Sequence, residues 1–212
     1  MMKLILSLTL IWTLSSTAEA LQCWQGLGDE TLTLRPCAST QLCATIVEQV
    51  IRNGNLINTT RWSCLPSSDF SEGNHTFSLN VGFRAMSTSL HVCNTDGCNK
   101  QAIPYPDIQK NNLQCLTCDD RSSPVCNKTV QCVGVQDRCI NGTMEDRGNT
   151  AFNTLGCVSS NLCEDVSKLE FFLSAKFLQP PKCCEGSICS SAWSVRLNVM
   201  TLLFGLITLI FY

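Results

Sequence analysis

The spacing of the cysteines limits what this chain can fold into more than any other feature of its sequence. The chain has 212 residues and 16 cysteines, all of which fall into two blocks. Even numbers of cysteines in short stretches are typical of disulfide-stapled modules in an oxidising compartment. The sequence therefore predicts two small modules that disulfides stabilise, because each block is too short to bury a large core. The first block holds Cys23, Cys37, Cys43, Cys64, Cys93 and Cys98. The second holds Cys115, Cys118, Cys126, Cys132, Cys139, Cys157, Cys163, Cys183, Cys184 and Cys189.

The first twenty residues have the three parts of a secretory signal peptide. Lys3 gives a basic start, Leu4 to Leu14 is an almost unbroken apolar run, and Ala18-Glu19-Ala20 is a small-residue cleavage site. We expect residues 1–20 to be removed and the mature chain to begin at Leu21.

The C-terminal residues predict a glycosylphosphatidylinositol (GPI) anchor. Val199 to Tyr212 is an apolar run of fourteen residues, whereas a membrane-spanning helix needs about 20. Lengthening the run would take in Arg196, and no basic tail follows it. Small residues at Ser190-Ser191-Ala192, a spacer and a terminal apolar tail fit a GPI signal. We expect attachment at Ser190 and removal of residues 191–212; a single-pass helix is the alternative.

Four N-x-Ser/Thr sequons lie in the mature chain, two in each block. A glycan needs an exposed asparagine in a secreted protein. The predicted N-glycosylation sites are Asn58, Asn74, Asn127 and Asn141.

Composition and motifs argue against nucleic-acid binding and catalysis. The formal net charge of −2 gives no basic footprint for nucleic acid. Cys115-x-x-Cys118 could be read as a redox or zinc site, but a secretory chain favours structural disulfides. His75 and His91 are the only histidines, and no nucleophile motif accompanies them. We expect no catalytic residue, no metal ligand and no cofactor.

The first block has the pattern of β-strands. Ala44 to Ile51 and Asn55 to Trp62 are β-prone, and Asn53-Gly54 between them is a strong hairpin signal. Ser78 to Val92 is interpreted as one further strand that leads into Cys93.

The second block is also interpreted as strands. Asn141-Gly142 and Arg147-Gly148 are expected to interrupt the stretch between Cys139 and Cys157. Lys168 to Leu178 is strand-like, although its apolar content leaves a helix open. On a strand, Phe171, Phe172 and Leu173 cannot all face one side. These three residues are the candidate binding surface, with packing between the modules as the other interpretation.

The second block resembles the urokinase-receptor-type three-finger domain, or LU domain. Its spacing is C-x2-C-x7-C-x5-C-x6-C-x17-C-x5-C-x19-CC-x4-C, and the adjacent Cys183-Cys184 is the most specific part. The resemblance implies an all-β, disulfide-rich fold with two tandem LU domains. It also implies the bridges Cys115–Cys139, Cys118–Cys126, Cys132–Cys157, Cys163–Cys183 and Cys184–Cys189.

The first block resembles the same domain with two whole cysteine pairs missing. The implied bridges are Cys23–Cys43, Cys37–Cys64 and Cys93–Cys98. Asn99 matches the family's closing Cys-Asn, whereas Ser190 departs from it in the second block. The expected domains are residues 21–99 and 113–190, joined by a linker at 100–112 that contains Pro104 and Pro106.

The resemblance is closest to the two-domain, GPI-anchored members of the family. It implies a binding protein on the extracellular face of the plasma membrane, held there by the GPI lipid. Its partner would be a protein ligand or another membrane protein, in adhesion, reception or gamete contact. A secreted or shed inhibitor, similar to two-domain phospholipase inhibitors, is the alternative. We expect a composite ligand surface formed by the Asn53-Gly54 hairpin and the third finger of the second domain.

Overall fold

The computed structural model describes residues 20–188, except 53 and 124. Residues 1–19 of the predicted signal peptide, Cys189, Ser190 and the C-terminal apolar run lie outside the described residues. The chain divides into two compact units. The described parts of unit 1 are residues 20–46, 59–74 and 90–103, and those of unit 2 are 47–58, 75–89 and 104–188. Residues of the first cysteine block thus belong to both units.

Most of the described residues lie in β-strands, which confirms the predicted all-β, disulfide-rich class. The first-block strands are β1 (Gln22–Leu27), β2 (Thr33–Pro36), β3 (Gln41–Arg52), β4 (Asn55–Pro66), β5 (Gly73–Asn80) and β6 (Arg84–Cys93). The later strands are β7 (Lys110–Thr117), β8 (Lys128–Val133), β9 (Arg138–Asp146), β10 (Ala151–Val158), β11 (Ala175–Phe177) and β12 (Lys182–Cys184). Two short helices, α1 (Ser160–Glu164) and α2 (Val166–Leu173), lie between β10 and β11.

Unit 1 is built around three disulfides. They join Cys23 to Cys43, Cys37 to Cys64 and Cys93 to Cys98, the pairs that the resemblance implies. Antiparallel pairing joins β1 to β2 and to β4. Leu21 packs against the bridges, and further apolar side chains of the unit are nearly inaccessible to solvent. They include Leu42, Ala44, Trp62, Leu65, Phe70, Leu90 and Val92.

Asn99 connects the strands of unit 1 through its side chain. The residue is fully buried. Its Oδ1 accepts from the backbone N–H of Trp24 at 3.0 Å, and its Nδ2 donates to the carbonyls of Trp24 and Ala44 at 3.0 and 2.9 Å. A buried amide that satisfies its donors and acceptor in this way fixes the positions of its partners. The asparagine after Cys98 therefore joins β1 to β3.

Unit 2 has the β9–β10 hairpin at its centre. These strands pair over eight residues, and β11 and β12 both pair with β9. β10 also pairs with the end of β5, through Cys157 with Asn80 and Val158 with Leu79. β7 and β8 form a separate two-stranded sheet. The disulfides among the described residues of this unit are Cys115–Cys139, Cys118–Cys126, Cys132–Cys157 and Cys163–Cys183.

A buried polar network connects β5 to the β8–β9 and β10–α1 segments within unit 2. Gln136 is 1% exposed, and its Nε2 donates to Ser78 Oγ at 2.8 Å. Ser78 Oγ also shares a hydrogen bond with Ser87 Oγ, and the Ser78 N–H donates to Ser159 Oγ. Each member has a partner, so burial leaves none of these four groups unsatisfied.

The β3–β4 hairpin confirms the prediction for the first block, but the strand after it differs. Gly54 has φ of +77° between β3 and β4, as the hairpin requires; Asn53 is outside the described residues. The single strand expected from Ser78 to Val92 is wrong. It is two strands, because Gly82 at φ +79° reverses the chain and the N–H of Val81 donates to the carbonyl of Arg84.

Two expectations for the second block are also wrong. Asn141-Gly142 does not interrupt the chain but lies inside β9. A Cβ on Gly142 would come within 2.8 Å of the Phe177 ring, so the glycine serves a close approach and not a turn. Lys168 to Leu178 is not one strand: its first part lies in α2, as the helix left open for this stretch would have it, and Ser174 ends that helix at φ +52° before β11.

Candidate binding site

The candidate surface at Phe171, Phe172 and Leu173 lies at the end of α2, and its placement on a strand is wrong. Leu169 is the fully buried residue of this helix, while Phe171 is 47% exposed. Lys168 binds Asp165 at 3.0 Å, which supports the first turn. Residues three or four apart share a helix face, so Leu169 and Leu173 lie on one side and Phe171 on another. The Phe172 side chain is outside the described part.

The β3–β4 hairpin exposes apolar side chains at its end. Ile51, Leu56 and Ile57 are 37%, 49% and 52% exposed. All three lie within five residues of the turn at Gly54. β-Branched and leucine side chains fit a pleated strand, but such a cluster at an exposed tip is more typical of a contact surface than of a scaffold. This tip is the first candidate site.

A cavity of about 720 Å³ in unit 2 is the second candidate site. Its lining residues come from the β3–β4 hairpin, the turn at Gly82, the segment after β7, the β9–β10 hairpin and the end of α2. Part of the wall is buried and part is exposed, so the cavity opens to solvent. The apolar lining residues are Val50, Ile57, Val81, Phe83, Phe152, Leu173 and Ala175.

One arginine of the cavity is held by contacts on two sides. Arg121 Nη2 lies 2.8 Å from Asp146 Oδ2, and its guanidinium lies 4.0 Å from the centre of the Phe152 ring. Phe152 in turn meets Phe83 edge to face at 6.4 Å between ring centroids. Stacking and pairing together fix the guanidinium in place.

Asp146 closes the β9–β10 turn and is already saturated with donors. Its Oδ1 accepts from the N–H groups of Gly148 and Thr150, both at 2.9 Å. The Thr150 N–H, then the Gly148 N–H and Arg121, lower the pKa of this carboxyl from its ordinary value. The carboxylate therefore stabilises its own turn and one arginine.

Three further arginines line the cavity without an ion pair among the described residues: Arg52, Arg84 and Arg147. Arg84 is partly buried. Burial lowers the pKa of its guanidinium, and repulsion from Arg52 and Arg121 acts in the same direction, against the attraction of Glu48. The other acid of the lining, Asp120, accepts from the N–H and Oγ of Ser122 at 2.7 Å each. The lining thus carries four arginines against two aspartates.

The remaining residues named from the sequence are spread over both units. Asn58, Asn74 and Asn127 are exposed, as a glycan requires, whereas Asn141 is partly buried on β9. Asn74 Oδ1 lies 2.8 Å from His91 Nδ1, and His75 stacks on Phe77. The thiols of Cys115 and Cys118 form bridges to Cys139 and Cys126, so they are not available to a zinc ion.

No helix within residues 20–188 is long and apolar enough to span a bilayer.

Sequence reasoning missed the cavity. Arg84, Arg121 and Arg147 are far apart in the chain and belong to no motif. The Arg147-Gly148 turn was the one local signal, and it predicted a turn but no charge cluster.

The comparison with known domain families decides what kind of chain this is. The u-PAR/Ly-6 domain model matches residues 19–101 and again residues 111–192. The chain belongs to the u-PAR/Ly-6 family. Its two u-PAR/Ly-6 domains lie in tandem, as the cysteine spacing suggested. The solved structure of mouse TEX101 is also similar, with 17% identity over 77% of this chain and 98% of that chain at a TM-score of 0.30. At this TM-score the likeness supports no argument, so the assignment rests on the two domain matches.

Membership of the u-PAR/Ly-6 family sets the general function. Proteins with these domains are generally non-enzymatic binding proteins that act outside the cell or on its surface. A binding or recognition role therefore follows for this u-PAR/Ly-6 protein at the level of the family.

Proposed function

We propose that this chain is a GPI-anchored recognition protein of the cell surface, which binds a protein ligand or another membrane protein without turnover. The observation that carries the proposal is the exposed apolar tip of the β3–β4 hairpin, with Ile51 at 37% and Leu56 at 49% exposure. A small protein gains little from leaving two large aliphatic side chains in water at one tip, and their burial by a partner would contribute to binding. The disulfides and Asn99 in unit 1 support the base of the same strands.

The tip is tested by charge substitution. We expect the double variant Ile51→Asp, Leu56→Asp to lose cell-surface binding at least about tenfold, because apolar residues at the centre of an interface dominate its affinity. The measurement is flow cytometry of a labelled, multimeric ectodomain comprising residues 21–190, with proximity labelling to identify the partner. Neither Ile51 nor Leu56 lines the cavity, so the variant changes no side chain of its lining.

Leu34→Asp is the matched control for the tip variant. Leu34 is 47% exposed on β2, far along the chain from the hairpin tip, and the same apolar-to-acid change there should leave binding unchanged. If the tip variant still binds and Leu34→Asp does not, the ligand surface does not lie on the β3–β4 hairpin.

The anchor is tested with phosphatidylinositol-specific phospholipase C. The small residues Ser190-Ser191-Ala192 and the apolar run of fourteen residues from Val199 to Tyr212 support a GPI signal. We expect the lipase to release the mature protein, with its whole ectodomain, from intact cells. Nitrous acid cleaves the anchor glycan. It should therefore release the protein even if the anchor resists the lipase.

The control for the anchor test is a chain whose residues 191–212 are replaced by a 22-residue membrane helix with a basic tail, about the length that spans a bilayer. It should stay on the cells under both treatments. If the natural chain also stays, and only a protease removes its ectodomain, a single-pass protein is the correct description. Constitutive release into the medium without either treatment would favour the shed inhibitor.

A further inference from the structure

The cavity of unit 2 combines an apolar wall with an excess of positive charge. We propose that it binds a small amphipathic organic acid of the fatty-acid type, with the apolar chain against the wall and the carboxylate at the arginines. The cavity shares Ile57 with the hairpin tip. Its test uses a small-molecule probe and does not depend on the partner of that tip.

The size and depth of the cavity favour a small, thin ligand. About 720 Å³ is within the range of roughly 300–1,000 Å³ typical of small-molecule pockets. Val81 and Ala175 in its wall are only 3% and 6% exposed, and Phe83 and Phe152 meet edge to face beside them. A folded partner would touch the exposed rim, whereas a flexible hydrocarbon chain can reach the buried part of the wall.

The charges select an acid as the head group. Arg52, Arg84 and Arg147 have no ion pair in the described part of the chain, although the whole chain has a formal net charge of −2. The two aspartates of the lining accept hydrogen bonds within their own turns. A guanidinium binds a carboxylate through two parallel hydrogen bonds, so a ligand carboxylate would supply the missing partner.

Two observations support a ligand at this place. Thr154 lies in the cavity wall at 1% exposure, and its Oγ1 has no hydrogen-bond partner. Arg84 is partly buried next to Arg52 and Arg121, an arrangement that lowers its pKa and that a bound anion would relieve. In the described part of the chain, the Thr154 hydroxyl thus has no hydrogen-bond partner and the Arg84 guanidinium has no ion pair.

The test is equilibrium binding of a fluorescent long-chain fatty acid, below its micelle concentration, to the glycosylated ectodomain of residues 21–190, which keeps every described residue of the mature chain. We expect saturable binding, weakened by about tenfold in Arg84→Gln, as the loss of a charge-assisted hydrogen bond predicts. Arg147→Gln, at an exposed position, should fold in any case and weaken binding by a smaller factor. Arg35→Gln removes the same charge from exposed β2, outside the cavity, and should bind like the natural protein.

Competition identifies the head group and the class of ligand. An unlabelled fatty acid should displace the probe, and the fatty alcohol of the same length should do so at least about tenfold less well because it carries no charge. The proposal is overturned if no saturable binding occurs, if both cavity arginine variants bind like Arg35→Gln, or if the alcohol competes as well as the acid. Displacement by an acidic, leucine-rich peptide at lower concentration than the fatty acid would assign the cavity to a protein segment and likewise overturn it.

Discussion

Replacing Cys37 with serine should keep the protein inside the cell. Cys37 pairs with Cys64 across 27 residues of sequence, so the bridge joins the residue after β2 to β4 within unit 1. Loss of such a bridge from a small secreted domain costs about 2–5 kcal/mol, and it leaves the Cys64 thiol free for wrong pairing. We expect the amount at the cell surface to fall severalfold and the retained protein to migrate partly as mixed disulfides on non-reducing gels.

A second variant separates lost stability from wrong pairing. In Cys37→Ala, Cys64→Ala no thiol is left over, so mixed disulfides should disappear while surface expression stays low. Ser68→Ala is the control. Ser68 is exposed and lies shortly after Cys64 in the chain, so this variant should behave like the natural protein. Normal surface levels and an unchanged Tm in the double alanine variant would show that this bridge does not stabilise the fold.

Gly156→Ala should strongly destabilise unit 2. Gly156 lies in β10, against the backbone at the end of β5. A Cβ on this residue would lie 2.0 Å from the Asn80 carbonyl oxygen and 2.8 Å from Val81 Cα. Both contacts are with backbone, which cannot rotate away, so a strand must move. Overpacking of this kind typically costs about 1–3 kcal/mol and sometimes more. The expected result is a lower Tm and faster hydrogen exchange in β5 and β10.

Gly148→Ala is the matched control for the strand substitution. It lies in the β9–β10 turn, where the added Cβ would lie 3.3 Å from the Asp146 side chain and would approach no backbone atom within 4 Å. The Tm should change little there. Equal stability of Gly156→Ala and Gly148→Ala would contradict the close approach of β5 and β10.

The parts of the fold that the sequence predicted depend on local or covalent signals. Asn53-Gly54 predicted the β3–β4 hairpin because its turn requires positive φ, and Gly54 has it. Asn99 was singled out by its place after Cys98, and the structure gives it three backbone partners. Cysteine spacing suggested the family, which the two domain matches show.

The parts that were wrong depend on contacts between residues far apart in sequence. Phe171 and Phe172 favour a strand by propensity, but the burial of Leu169 stabilises a helix there. In the sequence, Gly142 has the features of a turn residue. In the structure it is a glycine because the Phe177 ring packs closely against it. The cavity is beyond such reasoning, because the turns that bring Arg84 and Arg147 to one place are set by tertiary pairing.

Disulfide mapping of the natural protein tests the central claim of this account, that two u-PAR/Ly-6 cysteine frameworks organise the chain. The measurement is mass spectrometry of non-reduced peptides from the glycosylated ectodomain. We expect Cys23–Cys43, Cys37–Cys64 and Cys93–Cys98 in the first domain. In the second we expect Cys115–Cys139, Cys118–Cys126, Cys132–Cys157 and Cys163–Cys183, with Cys184–Cys189 implied by the family. A peptide that joins Cys23 to Cys37, or any bridge between the two blocks, would contradict this claim.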